Sequence, residues 1–67
     1  MIRVRLNGKD REVEPGLTVQ ELLRSLDLRP ELVVVERNRE ILGRERYPEV
    51  EVESGDTLEF VHFVGGG

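Results

Sequence analysis

Residues 2–28 read IRVRLNGKDREVEPGLTVQELLRSLDL, and the reading of this stretch decides the fold. Ile2, Val4 and Leu6 alternate with Arg3 and Arg5, the period of two expected of a strand with one buried face. Asn7-Gly8 comes next, a dipeptide that readily takes the positive φ angles of a tight I′ turn, so KDREVE should return antiparallel with Val13 facing in. Pro15-Gly16 ends this hairpin. In LTVQELLRSLDL the start of a helix is specified twice. Thr18 and Glu21 have the spacing of a capping box, and Leu17 and Leu22 occupy the staple positions on either side of it. Val19, Leu22, Leu23 and Leu26 then fall on one apolar stripe. A helix with one stripe needs a sheet to cover.

Outward from that core the pattern continues in strands. Pro30 bars the helix from going on, and LVVVERN supplies a β-branched run long enough for a third strand. Asn38-Arg39 turns the chain into the short apolar pair Ile41 and Leu42, Gly43 breaks it, and a looser stretch runs through Tyr47-Pro48. VEVE at residues 50–53 alternates again, Ser54-Gly55-Asp56 turns the chain, and TLEFVHFV at 57–64 is the last strand. Strands before and after a single helix predict an α+β two-layer domain, spanning residues 1–64, with 65–67 as a flexible glycine tail. The expected core is Ile2, Val4, Leu6, Val13, Val19, Leu22, Leu23, Leu26, Val34, Ile41, Val50, Leu58 and Phe60.

Length and charge narrow the function. A chain of 67 residues builds one core and buries a modest share of its surface. It has no cysteine, so no disulfide or thiolate metal site staples it. The one histidine, His62, makes no metal site alone. Fourteen acidic residues against ten basic leave a net charge of −4, the wrong sign for steering toward phosphate backbones, so nucleic acid is not expected as a partner. No apolar run reaches the length of a membrane span, and MIRVRLNG lacks the apolar block of a signal peptide. A cytoplasmic protein without membrane contact is the expectation.

The sequence stops at FVHFVGGG. Three glycines after an apolar strand have nothing to pack and carry the highest ordering entropy of any residue. A frayed terminus is one reading. The other is chemical: without Cβ atoms Gly65 and Gly66 can thread a narrow channel, and the α-carboxylate of Gly67 is left exposed to acyl activation. The activating machinery would lie in a partner, since the chain has no P-loop pattern and no paired nucleophile and base. Leu58 and Phe60 share one face of the last strand, so Val61 and Phe63 point to the other, an apolar patch beside the tail and a candidate docking surface. Glu49, Glu51, Glu53 and Glu59 read as a solvated acidic edge, with a basic partner surface as the alternative.

Three stretches give these residues a family likeness: NREILGR, with Asn38, Ile41 and Arg44 in an N-x-x-[IV]-V-P-R pattern; SGDTLEF, with Gly55-Asp56 in a GD turn; and VHFVGGG, an apolar strand running into terminal Gly-Gly. With the capped helix and the length, they make the whole chain resemble the ubiquitin-like β-grasp sulfur carriers, and most closely the ThiS carriers of thiamine biosynthesis. Gly43 stands where that family usually has proline, and Leu42 where valine is common. The resemblance implies a mixed sheet of four to five strands on one main helix. It also implies that Gly67 is adenylated by a ThiF-like enzyme with MgATP, converted to a thiocarboxylate with sulfur from a donor system, and used by a ThiG-like thiazole synthase. Gly65 and Gly66 would give reach, while Val61, Phe63 and Val64 would orient the docked face. No cofactor or metal would be bound, and the protein would be a co-substrate of its partners, not an enzyme. His62 is expected to have no chemical role, acid and base chemistry being the partners'.

Two other readings stay open at this point. A carrier for molybdopterin synthesis or tRNA thiolation would share the tail, and a non-covalent β-grasp interaction module would use the outer sheet face with incidental glycines.

Overall fold

A computed structural model describes residues 1–63. Five strands and one helix follow in the order β1 (Ile2–Leu6), β2 (Lys9–Val13), α1 (Val19–Ser25), β3 (Val33–Arg37), β4 (Glu40–Leu42) and β5 (Thr57–His62), with single 3-10 turns at Pro30–Leu32 and Arg44–Arg46. They form one mixed sheet in the order β2-β1-β5-β3-β4. β5 lies at the centre, parallel to β1 and antiparallel to β3. This is the β-grasp arrangement, and the strand count is five.

The first hairpin closes as its turn residues dictate. Asn7 and Gly8 take φ of 50° and 81°, and Leu6 faces Lys9 across the two-residue turn. The Asn7 side chain also reaches β5, where its Oδ1 accepts the Phe60 N–H at 2.8 Å, carrying the contact between β1 and β5 past the end of the strand.

The helix start is fully satisfied. Thr18 Oγ1 accepts the Glu21 N–H at 3.1 Å while Glu21 Oε1 accepts the Thr18 N–H at 2.9 Å, the reciprocal pair of a capping box. The next free donors, the N–H groups of Val19 and Gln20, bind the carbonyls of Val50 and Tyr47. The 47–52 segment is thereby drawn to the helix start. VEVE accordingly forms no strand, making only an isolated bridge between Thr18 and Glu51. The helix is shorter than its apolar stripe suggests. Asp27 adopts a φ of 60°, and the N–H groups of Asp27 and Leu28 return to the carbonyls of Arg24 and Leu23, the double bond of a Schellman stop three residues before Pro30.

Val4, Leu6, Val13, Val19, Leu22, Leu23, Leu58 and Phe60 are buried as expected, with Ile2, Leu26 and Val50 partly buried against them. Two of the expected positions, Val34 and Ile41, differ. Within Val33-Val34-Val35 the run of valines carries no phase of its own, and pairing with β5 sets it: Val35 faces Phe60 and Val33 faces His62. Val33 and Val35 are buried and Val34 turns outward. Ile41 is 69% exposed. The two-residue turn at Asn38-Arg39 puts Arg37 opposite Glu40, so Ile41 falls opposite Glu36 on the outer face and Leu42 opposite Val35 on the inner one. Tyr47 and Val52, from the segment read as loose or only half assigned, complete the core.

The two motif stretches NREILGR and SGDTLEF meet in space. Asn38 Oδ1 accepts the Thr57 N–H at 2.9 Å, and Asn38 Nδ2 donates to Asp56 Oδ1 at 3.1 Å. Asp56 is buried, and also accepts the Glu53 N–H at 2.8 Å and Arg37 Nε at 3.0 Å. One carboxylate thus ties the turn before β5 to the β3–β4 turn. Gly43 has φ of −63° and ψ of 140°, the backbone that proline would impose, so the departure from the family pattern leaves the chain path unchanged.

Candidate functional site

Two of the residues expected to matter, Val61 and Phe63, lie on the sheet face away from α1. β5 fixes it by simple alternation: Leu58 and Phe60 are buried against the helix side, and Glu59, Val61 and Phe63 are exposed on the other. Val61 and Phe63 are 55% and 54% exposed. Side chains this apolar and this open are normally singletons on a surface. Here they are grouped, because Val61 stands opposite Val34 on β3. The Phe63 N–H donates to the Leu32 carbonyl at 2.8 Å, which holds the backbone beside β3 one rung further on. Ile41 on β4 adds a further exposed apolar side chain across Glu36.

The outer face is therefore divided. Over β5, β3 and β4 it carries Val34, Ile41, Val61 and Phe63 around Glu36 and Glu59. Over β2 and β1 it is ionic, with Arg3 opposite Glu12 and Arg5 opposite Asp10, the latter pair 3.8 Å apart and open to solvent. The apolar half is contiguous with the end of β5, the strand that leads in sequence into Val64 and the glycines.

Val61 and Phe63 share this face as the pleat predicts, joined by Val34 and Ile41, for which the sequence pattern predicts the core. Counting back from the two-residue turn at Asn38-Arg39 was the signal that would have placed Ile41 outside. Val64, Gly65, Gly66 and Gly67, including the tail and the carboxylate on which the chemistry was placed, lie outside the described residues. His62 is exposed at the end of β5, opposite Val33. Glu49, Glu51 and Glu53 are exposed and do not join the apolar half; Glu53 lies 3.5 Å from Arg37.

Among the described residues no group of three or more His, Asp or Glu side chains could hold a metal ion, and no helix is long and apolar enough to cross a membrane. Glu31 has its carboxyl held below the ordinary range, chiefly by its own backbone N–H and to a smaller extent by Arg29. It sits in the 3-10 turn ahead of β3, apart from the outer patch. The arrangement leaves an exposed apolar surface on the strand that leads in sequence into the tail.

Comparison with known proteins identifies relatives of the chain. Residues 4–67 match the model of the ThiS family. The chain is 52% identical over 65 residues to the sulfur carrier protein ThiS of Bacillus subtilis, covering 96% of this chain and 98% of that one. It is also 41% identical over 66 residues to a thiazole synthase of Magnetococcus marinus, where it spans 98% of its own length and 20% of the relative's. In structure it is similar to a thiamine biosynthesis protein (ThiS) from Geobacter metallireducens, with a TM-score of 0.82, 40% identity, and coverage of 98% of this chain and 100% of that one.

Proposed function

This chain belongs to the ThiS family, and on that premise we propose that it is a sulfur carrier of thiamine biosynthesis whose working atom is the carboxyl carbon of Gly67. The observation that carries the reading is 52% identity over 98% of the length of a sulfur carrier. The same likeness favours the thiamine pathway over molybdopterin synthesis and tRNA thiolation.

An ionised carboxylate is a poor electrophile, and that determines the sequence of events. A carboxylate oxygen of Gly67 attacks the α-phosphorus of MgATP held by a ThiF-like enzyme, pyrophosphate leaves, and an acyl adenylate is formed. Sulfide supplied by the donor system then attacks the acyl carbon, the acyl–phosphate bond breaks, AMP leaves, and loss of the sulfide proton leaves a thiocarboxylate. Gly65 and Gly66 let the terminus reach a buried reaction centre, since without Cβ atoms they pass close to another backbone. Val61, Phe63 and Val64 orient the docked face. The protein binds no cofactor itself; it is a co-substrate and not an enzyme. The similarity to part of a thiazole synthase supports a ThiG-like thiazole synthase as the recipient of the sulfur.

The test is intact mass after incubation with MgATP, a ThiF-like enzyme and a sulfide source. Exchange of one oxygen for sulfur at Gly67, absent when Gly67 is deleted, is the expected result. An unchanged mass, with the same enzyme active on its own carrier, would overturn the proposal.

A further inference from the structure

Antiparallel pairing places Glu36 and Glu59 directly opposite each other on the outer face. The Asn38 N–H donates to Thr57 and the Phe63 N–H to Leu32, so by the alternation of the ladder Val34↔Val61 and Glu36↔Glu59 are hydrogen-bonded pairs, with Cα atoms about 5.5 Å apart. Like charges so placed repel and lower stability. Every other facing pair of charged residues in the sheet is of opposite sign: Arg3 with Glu12, Arg5 with Asp10, and Arg37 with Glu40. Neither Glu36 nor Glu59 joins an ion pair among the described residues, where the acidic partners are Asp10, Glu31, Glu53 and Asp56. The glutamates are also set among apolar neighbours, with Val34 and Val61 on the next outward rung and Ile41 beside Glu36.

We propose that Glu36 and Glu59 together seat one cationic side chain, an arginine, from the protein that docks on this face. A guanidinium has five donors in a planar fork and can serve two carboxylates at once. Its partner surface would surround that arginine with apolar side chains that close over Val34, Ile41 and Val61, removing water and strengthening the charge-assisted bonds. The repulsion in the free protein is then relieved on docking, so the pair contributes to affinity and opposes stability. This rests on the reading that the ThiF-like enzyme docks on the outer face, and it specifies the chemistry of that contact.

Calorimetric titration of the activating enzyme with Glu36→Gln, Glu59→Gln, the double variant and Val61→Asp separates the two ideas. Each single glutamine variant should bind about tenfold or more weakly, with the double variant losing less than the product of the two because one cation is shared. The loss should shrink between roughly 0.05 and 0.5 M salt, where the Debye length falls several-fold. The double variant should melt at a higher temperature than the parent. Unchanged affinity in the double variant, with binding lost in Val61→Asp, would overturn the arginine seat and leave the docking face standing. Unchanged affinity in all four would overturn the docking face itself. Weaker binding together with a lowered melting temperature would also overturn the seat, because the pair would then be a structural feature of the fold.

Discussion

The Tyr47 hydroxyl closes the open edge of β3: it accepts the Val35 N–H at 3.1 Å and donates to the Val33 carbonyl at 2.7 Å. β4 ends at Leu42, opposite Val35, so beyond that rung β3 has no strand beside it on this side. A single buried side chain substitutes for the missing partner. Tyr47→Phe keeps the ring and removes both bonds, leaving a donor and an acceptor buried without partners, at a cost of about 2–4 kcal/mol. Urea unfolding would show this as a lower midpoint with an unchanged slope. A loss below about 0.5 kcal/mol would mean that water takes the place of the hydroxyl.

Asp56→Ala should be similarly costly for a different reason. The carboxylate gathers Arg37, Asn38 and the Glu53 N–H, and its removal leaves a half-buried guanidinium without its closest partner. A destabilisation of about 3 kcal/mol is expected. Arg37→Met should cost less, since Asp56 would keep the Asn38 and Glu53 donors. Equal losses from the two variants in thermal unfolding would show that the ion pair, and not the hydrogen-bonded turn, holds the two loops together.

Gly43→Pro should stabilise the protein. The native φ of −63° suits the ring, Leu42 before it is extended as proline requires, and the unfolded chain loses freedom, for a gain of about 0.4–1 kcal/mol. The contact to be relieved is with the Glu45 carboxylate, which lies 2.5 Å from an ideal Cβ at this position but is the far end of a flexible side chain. A lowered melting temperature would show that Glu45 cannot move away.

Val61→Asp and Phe63→Asp should leave the folded domain within about 0.5 kcal/mol of the parent, because both side chains already meet solvent. Activation should nevertheless fail: with the ThiF-like enzyme and MgATP, the sulfur-for-oxygen mass change at Gly67 should be lost or slowed by more than tenfold. Full conversion of both variants would remove the outer face from the proposed mechanism and leave only the tail.

The parts of this fold that could be read from sequence are those set by neighbours in the chain. Asn7-Gly8, the Thr18–Glu21 box and the alternation of Leu58 and Phe60 each specify their geometry within a few residues. Val33, Val34 and Val35 do not, because three equal side chains fit a strand in either phase and only Phe60 across the ladder chooses. The same holds for VEVE, which alternates like a strand but is diverted by the free N–H groups at the start of α1. Tyr47 was hidden for a related reason: its role is defined by the end of β4, which depends on where the chain turns. For the candidate site, Val61 and Phe63 were legible from the pleat alone. The facing of Glu36 and Glu59 was not, since it exists only once β3 and β5 are in register.

The central place of β5 has a consequence for how the protein is made. Of the five strands it is the last to be synthesised, yet it separates β1 from β3 and is the element through which the two hairpins are joined. Until it is made, the two hairpins have no strand between them, and hairpins and a short helix are marginal alone. Non-local pairings complete the sheet only at the end. The nascent chain therefore acquires its stable fold and its docking face almost together, and a product cut short before Thr57 presents neither to a partner.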